Sequence, residues 1–161
     1  MKNIVPALCV LGSMLAGWYV MPALYLTPSR TCDARTLYIT QGENRKTVTE
    51  SSWLFTDGLS HILYSSRIRI YGDDRLLSSV PSERIIDLKT DVHTRSVEMT
   101  SPGPFVISGP EDADSVSGPY LDPLAKAGFS SNIYFFRAGS ATILGFKDRP
   151  RLVCQPGHSE N

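Results

Sequence analysis

Few side chains in this sequence are placed to do acid–base, metal or nucleophilic chemistry. The three histidines, His61, His93 and His158, share no metal-ligand spacing, and Cys9, Cys32 and Cys154 form no C-x-x-C pair. Neither a bound metal nor a cofactor is therefore expected. The stretch Glu111-Asp112-Ala113-Asp114-Ser115 is acidic enough for calcium but lacks the loop pattern. Counted from Asp112, the position that needs Gly is Ser117 and the one that needs Glu is Pro123. A solvated acidic loop is the expectation. Ser60-His61 beside Asp57 brings the right residue types together by adjacency alone, and no G-x-S-x-G, phosphate-cradling or dinucleotide motif is present. The chain is not expected to be an enzyme. Histidine is the side chain that changes charge unperturbed between about pH 5 and 8, so His61 and His93 are the candidate pH-sensing groups.

Cysteine usage points to a compartment. Apart from Cys9, which lies in an apolar run, only Cys32 and Cys154 remain, an even pair that frames the chain between them. Such a pair is what an oxidising compartment permits, and a Cys32–Cys154 disulfide is predicted. In the chain-entropy view, closing a loop of about 120 residues contributes roughly 4–5 kcal/mol.

The run Ile4–Leu26 contains no charge, whereas every basic residue except Lys2 and all 16 acidic ones follow it. As a helix it would be about 34 Å long, enough for a hydrocarbon core of roughly 30 Å. Trp18, Tyr19 and Tyr25 near its far end suit an interfacial aromatic belt. A cleaved signal peptide is the other reading, but small residues are badly placed for a cleavage frame and the apolar core is long. The organisation expected is a cytoplasmic tip at residues 1–3, a transmembrane anchor at 4–26 and an exported domain at 27–161. The location that fits is a bacterial inner membrane, single-pass, with the C-terminal domain in the periplasm.

The exported part reads as mostly strand. Thr36–Thr40 ends at the turn composition Gln41-Gly42-Glu43-Asn44, and Thr47–Phe55 ends at Asp57-Gly58. Ser60–Tyr71 alternates, with Ile62, Tyr64, Ile68 and Ile70 on the parity that should face a core. Gly72-Asp73-Asp74-Arg75 is a turn, Arg84–Met99 reads as two strands broken near Thr90-Asp91, and Phe105–Ile107 resumes after Ser101–Pro104. Gly109–Pro119 reads as a mobile surface loop. Asp122–Gly128 is expected to be a short helix, with Asp as N-cap, Pro at the first position and Gly at the end. The apolar strands Asn132–Arg137 and Ala141–Phe146 finish the domain. Six to eight strands with one small helix define a mainly β fold, a small antiparallel barrel or sandwich, between which pattern does not decide.

With 16 basic and 16 acidic residues the net charge is zero, which argues against direct nucleic-acid binding through clustered cations. Aromatic residues are the remaining candidates for recognition. Trp53 and Phe55 on one parity, and Tyr134 and Phe136 on another, would either pack the core or line a cavity or partner face.

The layout of a minimal cytoplasmic tip, the span Ile4–Leu26, a β-rich domain framed by Cys32 and Cys154, and the closing strands NIYFFR and ATILGF resembles one family. It is that of the small membrane companions of ToxR-like transcription activators, the ToxS, VtrC, FidL and PsaF/MyfF type. The resemblance, nearest to the PsaF/MyfF fimbrial regulators, implies a periplasmic domain that forms a heterodimer with a single-span activator and stabilises it. That activator would carry the cytoplasmic DNA-binding domain. It implies a lipocalin-like barrel completed by the partner, a cue such as acidity or a small amphipathic ligand, and an output in virulence or fimbrial transcription. The G-x-W signature of lipocalins is missing, since Ser51 and Ser52 precede Trp53. A secretion or envelope-assembly subunit and a ligand-binding module acting alone share the same anchor and β domain.

Overall fold

The computed structural model describes residues 4–26, 31–56, 59–111, 116–139 and 141–156. The apolar run forms one helix, α1 (Ile4–Leu26), of 23 residues. Its side chains are described from residue 6 to 21, and all of them are exposed. Those 16 residues make about 24 Å of helix, and among the described residues no helix is long and apolar enough to cross a membrane.

The rest is strand: β1 (Cys32–Gln41), β2 (Arg45–Thr56), β3 (His61–Gly72), β4 (Arg75–Asp87), β5 (Lys89–Val92), β6 (Val97–Thr100), β7 (Phe105–Ser108), β8 (Ser130–Ala138), β9 (Ala141–Phe146) and β10 (Arg149–Pro156). They form a single antiparallel ten-stranded sheet in the order β5-β6-β8-β9-β10-β1-β2-β3-β4-β7. The expectation of six to eight strands was low for two reasons. The first half of β4 sets Leu76 beside Leu77 without alternation and contains Pro81, and β10 reads RPRLVCQP, with two prolines and two arginines. Both hide a period-2 pattern from the sequence.

The alternation of β3 holds, with Ile62, Tyr64, Ile68 and Ile70 buried. The β3–β4 turn is tight because Asp73 and Asp74 both adopt positive φ, 48° and 59°. That pair gives the mirror-image turn whose twist matches a hairpin. Arg84–Met99 holds parts of three strands and not two: it breaks at Leu88, whose N–H donates to Ser60 O at 2.7 Å, and again at the turn 93–96, where His93 N–H donates to Ser96 O at 2.8 Å, while Thr90-Asp91 lies inside β5.

Connectivity determines the shape. β4 ends at Asp87 and β5 begins at Lys89, so a single residue joins strands that stand at nearly opposite ends of the order. At about 4.8 Å per strand a flat sheet would hold them far beyond that reach. The sheet therefore curls round until its ends approach, and the inner side chains from both halves share one core. Ala34, Trp53, Tyr64 and Arg84 lie in register across β1 to β4. Phe135, Leu144 and Leu152 do the same across β8 to β10. The curl is barrel-like but not closed, because β5 and β7 keep open edges.

The segment before β8 plugs this curl. Its Leu121, Leu124 and Ala125 belong to the same buried cluster as Trp53, Ile62 and Ile133. The expected helix at Asp122–Gly128 is only a 3₁₀ turn, Pro123–Ala125. Its bonds run three residues apart, Ala125 N–H to Asp122 O and Lys126 N–H to Pro123 O, and one such turn is too short to become α. The N-cap expectation holds: Asp122 Oδ1 accepts from Leu124 N–H at 2.9 Å.

Candidate functional site

Cys32 opens β1 and Cys154 lies in β10, which pairs with β1. The two form the expected disulfide, with Cα atoms 5.4 Å apart and 122 positions separating them. Both cysteines are buried in the core cluster. The bond thus ties β1 to β10, the first and last strands in chain order and neighbours in the middle of the sheet.

His61 and His93 are not brought together. His61 faces Asp87 directly across β3–β4, Nδ1 to Oδ1, on the exposed side. His93 lies in the β5–β6 hairpin with Nε2 3.6 Å from Glu98 Oε2. Each histidine has its own carboxylate, and all four side chains are exposed. His158 and Asp112–Ser115 lie outside the described residues. The flanks of the Gly109–Pro119 stretch are not a free surface loop: Pro110, Ser117 and Gly118 are buried.

The aromatic candidates divide. Trp53 and Phe55 are 0% and 1% exposed, and Trp53 packs on the Tyr64 ring at 4.4 Å between centroids. They are core. Parity on β8 puts Phe135 against the core, so Phe136, 49% exposed, lies on the outer face. Phe136, Ile143 and Val153 are in register there, a short apolar row across β8, β9 and β10.

Three features carried no sequence signal. The first is Arg84, 1% exposed on the inner face of β4. Its Nη1 donates to Ala125 O at 2.7 Å and its Nη2 to Pro110 O, so one buried guanidinium clamps both arms of the 109–126 segment to the sheet. A buried arginine holding backbone carbonyls cannot be told from a surface arginine by type or spacing.

The second is the contrast between the two open edges. β5, KTDV, carries Lys89 and Asp91, the charges with which natural edges resist further pairing. β7, FVIS, carries no charge, and Phe105, Val106 and Ile107 are all exposed. Across the outer face Leu54, Leu63, Ile85 and Phe105 stand in register, so an apolar row runs out to that edge.

The third is a cleft of about 420 Å³ at the mouth of the curl, within the usual range for small-molecule sites. The inner face of β1 and β2 gives it Thr36, Tyr38, Thr40, Thr49 and Ser51. The plug segment adds Tyr120, Asp122 and Lys126, and the β9–β10 hairpin adds Phe146, Arg149 and Arg151. Asp122 Oδ2 meets Arg151 Nη2 at 2.6 Å, with the two side chains 10% and 9% exposed. Burial, the largest influence, holds the Asp122 carboxyl above its ordinary value. The Arg151 guanidinium and the Leu124 N–H pull it down by less. The guanidinium carbons of Arg149 and Arg151 lie 5.8 and 5.3 Å from the Phe146 centroid, cation–π distances. The hairpin is tight because Gly145 lets Pro150 approach: a Cβ there would sit 2.7 Å from Pro150 Cα.

Among the described residues no cluster of His, Cys, Asp or Glu is arranged to hold a metal ion. No protein-family model matches the chain, and no curated protein matches it.

Proposed function

We propose that this chain is a membrane-anchored regulatory protein whose β domain binds and stabilises a single-span transcription activator. It acts from the inner membrane, with α1 as anchor and the disulfide-bonded domain in the periplasm. In this reading the domain contributes to sensing acidity or a small amphipathic ligand, with virulence or fimbrial genes as the output. The observation that carries it is the pair of unlike edges. A curled sheet that protects one edge with Lys89 and Asp91 and leaves the other apolar, at Phe105–Ser108, is incomplete in a way that a strand from another chain completes. The anchor is supported by 23 uncharged helical residues whose described side chains touch no core. The oxidising compartment is supported by the disulfide. DNA contact belongs to the partner, because the charge here is balanced.

The test is affinity purification of the tagged full-length chain from its native membrane after crosslinking. Recovery of a single-span protein with a cytoplasmic DNA-binding domain supports the proposal. Recovery of a secretion or envelope complex replaces it with the assembly-subunit reading. A second reading, a ligand-binding module acting alone, is favoured by one observation, that the cleft at the mouth is built within one chain.

A further inference from the structure

The cleft is charged asymmetrically. Lys126, Arg149 and Arg151 line it against one carboxylate, Asp122, and that carboxylate is already engaged by Arg151 Nη2 and the Leu124 N–H. Arg151 Nη1 is buried and has no hydrogen-bond partner. That nitrogen has no surface open to the cleft, so Lys126 and Arg149 are the cations that offer free donors there, with the Arg151 charge behind them. Around these cations the wall offers side-chain hydroxyls from β1 and β2 and two tyrosine rings. A cation would meet repulsion here. An extended polyanion would not fit a pocket of about 420 Å³.

We propose that this cleft binds a small organic anion. Its acidic group, a carboxylate, sulfonate or phosphate, lies between Lys126 and Arg149, above the Asp122–Arg151 pair. Its carbon body rests on Tyr38 and Tyr120. The inference deepens the sensor half of the proposed function and does not depend on the partner half. Ligand on Arg149 pulls on the hairpin between β9 and β10, and β10 is the strand disulfide-bonded to β1. Occupancy of the cleft is thereby mechanically linked to the β1–β10 pair.

The probe is naphthalene sulfonate, with naphthalene methanol as its uncharged counterpart. Each is titrated calorimetrically into the full-length chain in phosphatidylcholine nanodiscs, with empty nanodiscs subtracted. Saturable binding of the sulfonate is expected, at least about tenfold tighter than that of the alcohol, as removal of a charge-assisted contact implies. Lys126→Gln with Arg149→Gln, both outside the core, should weaken the sulfonate by a similar factor and leave the alcohol unchanged. Arg67→Gln, on the outer face, should change neither. Equal affinity for the two probes, an unaffected double variant, or no saturable binding would each overturn the proposal. None of these results bears on whether an activator co-purifies, so this failure and that of the partner reading are distinguishable.

Discussion

Asp122 and Arg151 join the plug of the curled sheet to β10, Oδ2 to Nη2 at 2.6 Å, with both side chains nine-tenths buried. The same carboxylate caps the turn that carries Leu124 and Ala125 into the core. One aspartate therefore sets the position of the plug relative to both the sheet and the cleft. Its energetics follow from burial, since a buried pair recovers its desolvation cost only with good geometry and further hydrogen bonds.

Because burial raises the Asp122 carboxyl above its ordinary value, the folded state holds that proton more tightly than the unfolded chain. Stability from this group is then fully present below the unfolded value and is lost as pH rises through the folded one. Relative to Asp122→Asn, which keeps the oxygen acceptor and cannot ionise, the wild-type chain should gain stability as pH falls from about 7 to about 4. Denaturant unfolding of both proteins across that range measures the difference. A wild-type protein that loses stability relative to the variant on acidification would reverse the sign and contradict the account.

Removing the disulfide should be the most damaging change where β1 meets β10. Cys32→Ser with Cys154→Ser frees a loop spanning 122 positions. The expected cost is roughly 4–5 kcal/mol in the chain-entropy model, enough to unfold a domain of ordinary marginal stability. In cells the partner's level should fall with it. The checks are thermal unfolding of the purified protein with and without reductant, and immunoblotting of the partner; unchanged melting on reduction would contradict the structural role.

Arg84→Met keeps much of the side-chain volume and removes the clamp. Ala125 O and Pro110 O would then be buried without their donor. Leaving buried carbonyls unmatched costs about 1–3 kcal/mol each, so destabilisation of a few kcal/mol is expected. Hydrogen exchange should show it first in the 116–126 segment. Protection there equal to wild type would mean the segment is held by its leucines alone.

What the sequence made legible was whatever repeats with a period or is written by local turn chemistry. The parity of Ile62, Tyr64, Ile68 and Ile70, the Asp73-Asp74 turn, the Asp122 cap and the cysteine pair all express themselves within a few residues, or by count. The rest depends on contacts made at a distance. β10 lacked a pattern because its Arg149 and Arg151 point to a cleft that only the curl creates, and Pro150 stands at the shift in register against β9. The burial of Arg84 follows from what the plug places above it. Trp53 and Phe55 favour the core on sequence, but only the opposite side of the curl decides between core and cavity lining. The unlike edges emerged only from the strand order, since FVIS and KTDV are both unremarkable short runs until each is known to stand at an end.

The central claim is that another chain's strand completes the sheet at β7. The most direct measurement is photo-crosslinking in native membranes with a benzophenone side chain at position 106, compared with one at position 90 on the β5 edge. The account predicts that position 106 captures a single-span protein with a cytoplasmic DNA-binding domain, that position 90 does not, and that Phe105→Lys with Ile107→Lys abolishes capture without altering the melting temperature. Capture from position 90 and not from 106, or capture from 106 that survives the two lysines, would contradict it.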